Sequence, residues 1–192
     1  MTAKQAKTEL KVGIRPLEQR DKRAIHRLTT STAAINKVYD FSRSDLDRIF
    51  AAGPVGYVAA LEGEKELSAA VLGYRPENIP SVWQDYLGDA YREAGLPEQY
   101  RTPGTFYLEV VASKGRGKRE IAGELVERLS QELAGAGYER IVTVADSRKA
   151  TGLEPGELGF KPKGKLPHFW VYPGVDDDVT VFERELAKPA KK

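Results

Sequence analysis

The chain has no cysteine, two histidines, one methionine and two tryptophans among its 192 residues. Without cysteine there can be no disulfide, no thiolate metal site and no cysteine nucleophile. His26 and His168 alone are too few for a histidine-based metal centre. No apolar run approaches the roughly 20 residues of a membrane span, and the opening MTAKQAKTELK lacks the apolar centre of a signal peptide. Net charge is scarce too. The 30 Lys and Arg against 28 Asp and Glu leave +2, too little to indicate nucleic-acid binding by itself. What is present is 41% apolar and 30% charged residues, in a chain long enough to bury about two-thirds of its unfolded surface in one core. The expected organisation is one cytoplasmic domain over residues 11–187 between lysine-rich, disordered tails at 1–10 and 188–192. No metal, nucleic-acid or membrane partner is expected.

Hydrophobic periodicity gives alternating elements. Residues 11–17 read as a strand, after which Asp21 can cap a helix with Ala24, Ile25 and Leu28 inside. Ser42 can cap a second helix that buries Leu46, Ile49 and Phe50 and ends at Gly53 before Pro54. Strands at 55–61 and 67–74 join across Gly63, and a further strand covers 105–112. A helix over 118–134 carries Ile121, Ala122, Leu125, Leu129 and Leu133 on one stripe, and residues 140–145 form a short buried strand. A helix between two strands implies one parallel crossover. The fold class is α/β (α+β), with a mixed, mostly antiparallel central sheet and flanking helices.

Two segments stand out. Residues 75–104 are too long for a hairpin loop, and IPSVWQDYLGDAYREAGLP reads as a helix begun after Pro80. Its Trp83, Leu87, Ala90, Tyr91 and Ala94 face suits ordinary core packing; a lid or dimer surface is the functional alternative, with Tyr86 and Tyr100 as acceptor contacts. The second segment is FYLEVVAS, KGRGKR and EIAGELVERLSQEL in succession. A strand, a glycine-rich basic turn and a helix start place free amides and the positive helix end where an anion can sit. Lys114, Arg116, Lys118 and Arg119 add cations, while Gly115 and Gly117 allow close backbone approach. The turn has neither GxGxxG nor GK followed by Ser or Thr, which removes the dinucleotide and P-loop classes.

This segment resembles the GNAT N-acetyltransferase superfamily. KVGIRPLEQRDKRAIHRL is similar to that family's opening strand and helix, VGYVAALEGEKELSAAVLGY to its second and third strands, RIVTVADSRKATGLEPGELGF to its fifth strand and the LGF segment, and HFWVYPGVDDDVTVFEREL to its closing strands. The resemblance implies acetyl-CoA as co-substrate and an unidentified amine as acceptor. It places the cofactor against Val110, Val111, Ala112, Arg116, Gly117, Lys118, Arg119, Ile121 and Ala122. Aligned without a gap, the sequence departs from the family at Glu120, which falls on a usual glycine, whereas a one-residue shift uses Arg116 and Gly117 as the family's Arg-Gly pair; Pro155 stands where many members carry a tyrosine acid. Either another tyrosine serves as the acid, with Tyr172 the candidate, or the thiolate leaves without a dedicated acid.

An ammonium with a pKa of about 10.4 must lose a proton before it can attack a thioester, so a base is required. Glu109 is the one acid in FYLEVVAS, and it matches the position where many family members carry the base. Desolvation in an apolar strand would raise its pKa toward neutrality. Strict alternation places it with Tyr107 and Val111 on one face, and Leu108 and Val110 on the other. Three readings compete: an acyl-CoA-dependent N-acyltransferase, a CoA- or metabolite-binding domain without turnover, and an interaction module using KGRGKR as a basic patch. The first is preferred, as a monomer or homodimer.

Overall fold

The computed structural model describes residues 11–36, 42–115, 117–145, 155–172 and 175–187. Seven strands form one sheet in the order β1 (Val12–Pro16), β2 (Val55–Leu61), β3 (Ala69–Tyr74), β4 (Thr105–Ser113), β5 (Arg140–Ala145), β7 (Val175–Glu185), β6 (Lys161–Tyr172). Neighbours pair antiparallel except β4 and β5, which are parallel. That parallel pair needs a crossover, supplied by α4 (Lys118–Gly135). Helices α1 (Lys22–Asn36) and α2 (Arg43–Ala51) follow β1, and α3 (Ser81–Glu93) lies between β3 and β4.

The sheet separates two apolar layers. Ile121, Leu125, Val126, Leu129 and Leu133 of α4 pack with Val71, Phe106, Leu108 and Ile141 on one face. On the other, Ile25 and Leu28 of α1, Leu46 and Ile49 of α2, and Leu87 and Tyr91 of α3 meet Leu72, Tyr74, Tyr107, Val110 and Val142. Each fully buried leucine contributes about 1.5–3 kcal/mol relative to exposure. The expected α4 stripe is therefore the observed one, and the Trp83 face of α3 is core: Leu87, Ala90 and Tyr91 are buried, with Trp83 and Ala94 packed beside them.

The helix starts differ in chemistry. Ser42 caps α2 as the sequence implied, its hydroxyl accepting from the Asp45 N–H at 3.1 Å while the Asp45 carboxylate accepts from the Ser42 N–H at 3.0 Å. Asp21 is not a simple cap. It closes a short 3-10 turn, Gln19–Asp21, and its buried carboxylate takes both Arg15 guanidinium nitrogens, at 2.6 and 2.7 Å. Burial opposes ionisation of Asp21, but the Arg15 bonds and the Glu18 N–H outweigh it and hold the carboxyl below its usual range.

Candidate active site

The centre of β4 is irregular. Its register against β3 passes from Leu72↔Val110 to Gly73↔Leu108, so Glu109 is an extra residue on β4, a β-bulge. The bulge overturns the face assignment made from alternation. Val110 joins Tyr107 and Ala112 in the layer under α1 to α3, while Val111 packs with Leu108 under α4. One inserted residue shifts the period-two pattern, and sequence alternation carries no mark of it. Gly73 makes the close approach possible: a Cβ there would lie 2.1 Å from the Tyr107 carbonyl oxygen.

Beside the bulge the sheet opens. The parallel ladder holds only Thr105↔Arg140, Phe106↔Ile141 and Tyr107↔Val142, although β4 continues to Ser113 and β5 to Ala145. Beyond Tyr107 the two strands part, while β5 stays paired with β7 along its whole length, from Arg140↔Glu185 to Ala145↔Thr180. The stretch 108–113 thus presents main-chain groups to a fork between strands. Backbone donors and acceptors left by a ladder need partners, and an extended ligand rich in amides can supply them.

Glu109 stands at the mouth of this fork, partly exposed. Burial among apolar neighbours, then the negative charge of Asp45, push its carboxyl up to about 7. Asp45 is held there by its capping bonds to Ser42, so the end of α2 sets the local field. The phenols of Tyr74 and Tyr107 are both pushed up, first by burial and second by the Glu109 charge, and both stay protonated across the physiological range. Sequence reasoning missed Asp45 and Tyr74 as neighbours of Glu109. The S-x-x-D spacing of Ser42 and Asp45 identified a cap, but nothing local places that cap against β4.

The turn after β4 holds two glycines with left-handed backbone. Gly115 and Gly117 have φ of 79° and 71°, and Gly117 is the residue before α4. The first bond inside the helix runs from the Ile121 N–H to the Gly117 carbonyl, at 3.0 Å, which leaves the preceding first-turn amides without intrahelical acceptors. The side chains do not all follow expectation. Lys114 pairs with Glu66 at 2.6 Å and Arg119 with Glu157 at 3.1 Å, so both cations already face carboxylates. Arg116 and the Lys118 side chain lie outside the described residues. The side chains of Ile121 and Ala122 are buried in the α4 layer, and the Ile121 N–H donates to the Gly117 carbonyl.

The remaining candidates separate. Tyr100, expected at an acceptor surface, has no exposed area and its hydroxyl donates to the Gln84 carbonyl at 3.1 Å; it ties the 75–104 segment together from inside. Tyr86 is on the exposed side of α3, at 38% exposure. Pro155 opens a 3-10 turn, Pro155–Leu158, which leads to the buried Phe160. Tyr172 is the last residue of β6, opposite Val175 at the tip of the β6–β7 hairpin, and its side chain lies outside the described residues. Among the described residues no group of three or more acids and histidines is placed to hold a metal, and no helix is long and apolar enough to cross a membrane.

No protein-family model and no curated protein sequence matches the chain. Solved structures do. The ribosomal-protein-S18-alanine N-acetyltransferase of Escherichia coli superposes with a TM-score of 0.64 at 12% identity, covering 94% of this chain and 97% of that one. NAA60 of Arabidopsis thaliana, solved in complex with acetyl-CoA, gives 0.63 at 15% identity, with 91% and 98% covered. An aminoglycoside 6'-acetyltransferase type Ii gives 0.60 at 17% identity, with 92% and 99% covered. The mixed seven-stranded sheet with its single parallel pair is accordingly that of the GNAT N-acetyltransferase fold.

Proposed function

We propose that the protein is an acyl-CoA-dependent N-acyltransferase that moves an acetyl group from acetyl-CoA to a primary amine by direct attack on the thioester. The observation that carries this reading is the carboxyl of Glu109, pushed up to about 7 on a bulge at the edge of an open strand fork. A base with that pKa is half ionised at neutrality, where proton transfer is most effective.

In this mechanism Glu109 takes a proton from the acceptor ammonium. The freed nitrogen lone pair then forms the new bond to the acetyl carbonyl carbon, and collapse of the tetrahedral intermediate breaks the carbon–sulfur bond while the nitrogen gives its second proton to solvent, leaving the neutral amide. The oxyanion would be met by a main-chain N–H near Val111, on the stretch of β4 that β5 leaves open. The amides of the turn at Gly117 and the start of α4 would hold the diphosphate of the co-substrate. Arg119 would join them on release from Glu157. Tyr172 is the proposed source of the proton for the leaving thiolate. With a thiol pKa of about 8.5 that proton is helpful but not obligatory. Tyr86, on the exposed side of α3, would contact the acceptor.

Pro155 in place of a tyrosine favours a second reading, a domain that binds CoA without turnover. Calorimetric titration with acetyl-CoA and CoA, followed by detection of free thiol with polyamines, amino acids, aminoglycosides and lysine peptides, separates the two. Saturable binding with amine-dependent thiol release supports the enzyme; binding without release under every amine supports the second; no binding overturns both.

A further inference from the structure

Tyr74 ends β3 directly opposite Tyr107 of β4, which makes it the diagonal cross-strand neighbour of Glu109 across the bulge. Its ring is fully buried in the layer below α1 to α3. Its hydroxyl nevertheless finds no hydrogen-bond partner among the described residues. An unpaired buried hydroxyl costs about 1–3 kcal/mol, and phenylalanine would fill the same space without that cost. Among the described residues, the groups facing Glu109 from the packed elements are few. Asp45 comes from α2, Tyr74 from β3 and Tyr107 from β4 itself. The Tyr100 hydroxyl, from the turn before β4, is spent on Gln84. Facing inward from α1 are Ile25, Leu28 and Thr29, the last bonded to the Ile25 and His26 carbonyls. Tyr74 is thus the fully buried donor beside Glu109 that no protein acceptor occupies among the described residues.

We propose that Tyr74 is a positioning residue for Glu109: its hydroxyl donates to the water through which the acceptor ammonium passes its proton to the carboxylate. One N–H bond of the ammonium breaks as the water takes that proton, and the water gives a proton of its own to Glu109, so the water is regenerated and the amine lone pair is freed. The inference rests on Glu109 being the base, as proposed above. A polar site needs at least two partners to order a water, and the Tyr74 hydroxyl and the Glu109 carboxylate provide them. A donor aimed at this relay stabilises the ionised carboxylate, so its removal raises the pKa of Glu109.

The test is Tyr74→Phe in the full chain, with Tyr91→Phe as control. The Tyr91 hydroxyl is likewise buried and unpartnered, but it belongs to α3 and is perturbed by Tyr100 and Glu183 rather than by Glu109. The expected result for Tyr74→Phe is a kcat lowered about 10-fold, on the order of one hydrogen bond, with the acceptor KM and the unfolding midpoint retained. The kcat–pH profile should move to higher pH. In the Glu109→Gln background the same change should have no further effect. Direct titration of the Glu109 carboxyl by infrared difference spectroscopy gives a readout that needs no turnover, and its midpoint should rise in Tyr74→Phe but not in Tyr91→Phe. An unmoved midpoint overturns the proposal even if no amine is ever acetylated, and a moved midpoint with unchanged kcat overturns the relay. Loss of the parent reading shows separately, as full turnover in Glu109→Gln.

Discussion

Replacing Glu109 by glutamine should make the protein more stable and less active, and the two effects follow from one physical cause. The carboxyl moves from an ordinary value of 4.5 to about 7 in the folded chain, chiefly because burial penalises its charge. Below about pH 4.5 it is neutral in both folded and unfolded states, and glutamine gains nothing. Between 4.5 and 7 the unfolded chain releases the proton first, so native stability falls as pH rises. Above about 7 the full penalty stands. At 1.36 kcal/mol per pKa unit it amounts to about 3 kcal/mol as a ceiling. For a chain of this size that corresponds to a midpoint raised by roughly 5–10 °C. Glu109→Gln should therefore melt higher than the wild type at about pH 8.5 and alike at about pH 4. Its kcat should fall about 100-fold or more through loss of general-base catalysis. Thermal unfolding across pH, with initial rates of thiol release, reads both. A variant destabilised at high pH would refute the reasoning, since it would show Glu109 to be a satisfied ion-pair partner.

Three further outcomes follow. Asp45→Asn removes the like charge that helps raise the Glu109 pKa, so the rising limb of kcat against pH should shift to lower pH; retention of the two Ser42 contacts by the Asn side chain limits the loss of helix capping to about 1 kcal/mol. Glu157→Gln removes the carboxylate charge that faces Arg119 in an exposed ion pair, and because such pairs contribute about 1 kcal/mol or less, the Kd for CoA should tighten about two- to fivefold at low salt, as calorimetry would read. Gly73→Ala would drive a Cβ to 2.1 Å from the Tyr107 carbonyl oxygen and 2.6 Å from the Phe106 ring. It should destabilise by at least about 3 kcal/mol, whereas Gly115→Ala, with open space but a positive φ, should cost only about 1 kcal/mol.

The elements were legible where local chemistry alone decides them. The α4 stripe, the Ser42 cap and the strand limits at 55–61 and 140–145 follow from periodicity and capping, and the structure agrees. What the sequence hides is non-local. The bulge at Glu109 is a mismatch between β3 and β4, so strict alternation put Val110 and Val111 on the wrong faces. Tyr100 reads as an acceptor contact under the lid alternative, yet the turn Gln99–Arg101 folds it inward against Tyr91 and Tyr107. Lys114 and Arg119 read as ligand cations, but Glu66 and Glu157 come from distant segments to meet them. Asp45 and Tyr74 are likewise brought within electrostatic range of Glu109 by tertiary folding. The candidate base itself was accessible, since it is the one acid in an otherwise apolar strand.

The central claim, that Glu109 activates an amine for attack on acetyl-CoA, is met most directly by transfer of an isotopically labelled acetyl group, followed by mass spectrometry of the acceptor. The account predicts a labelled amide product with the wild-type protein at neutral pH, falling about 100-fold with Glu109→Gln while CoA binding persists. Equal labelling by both proteins would contradict it.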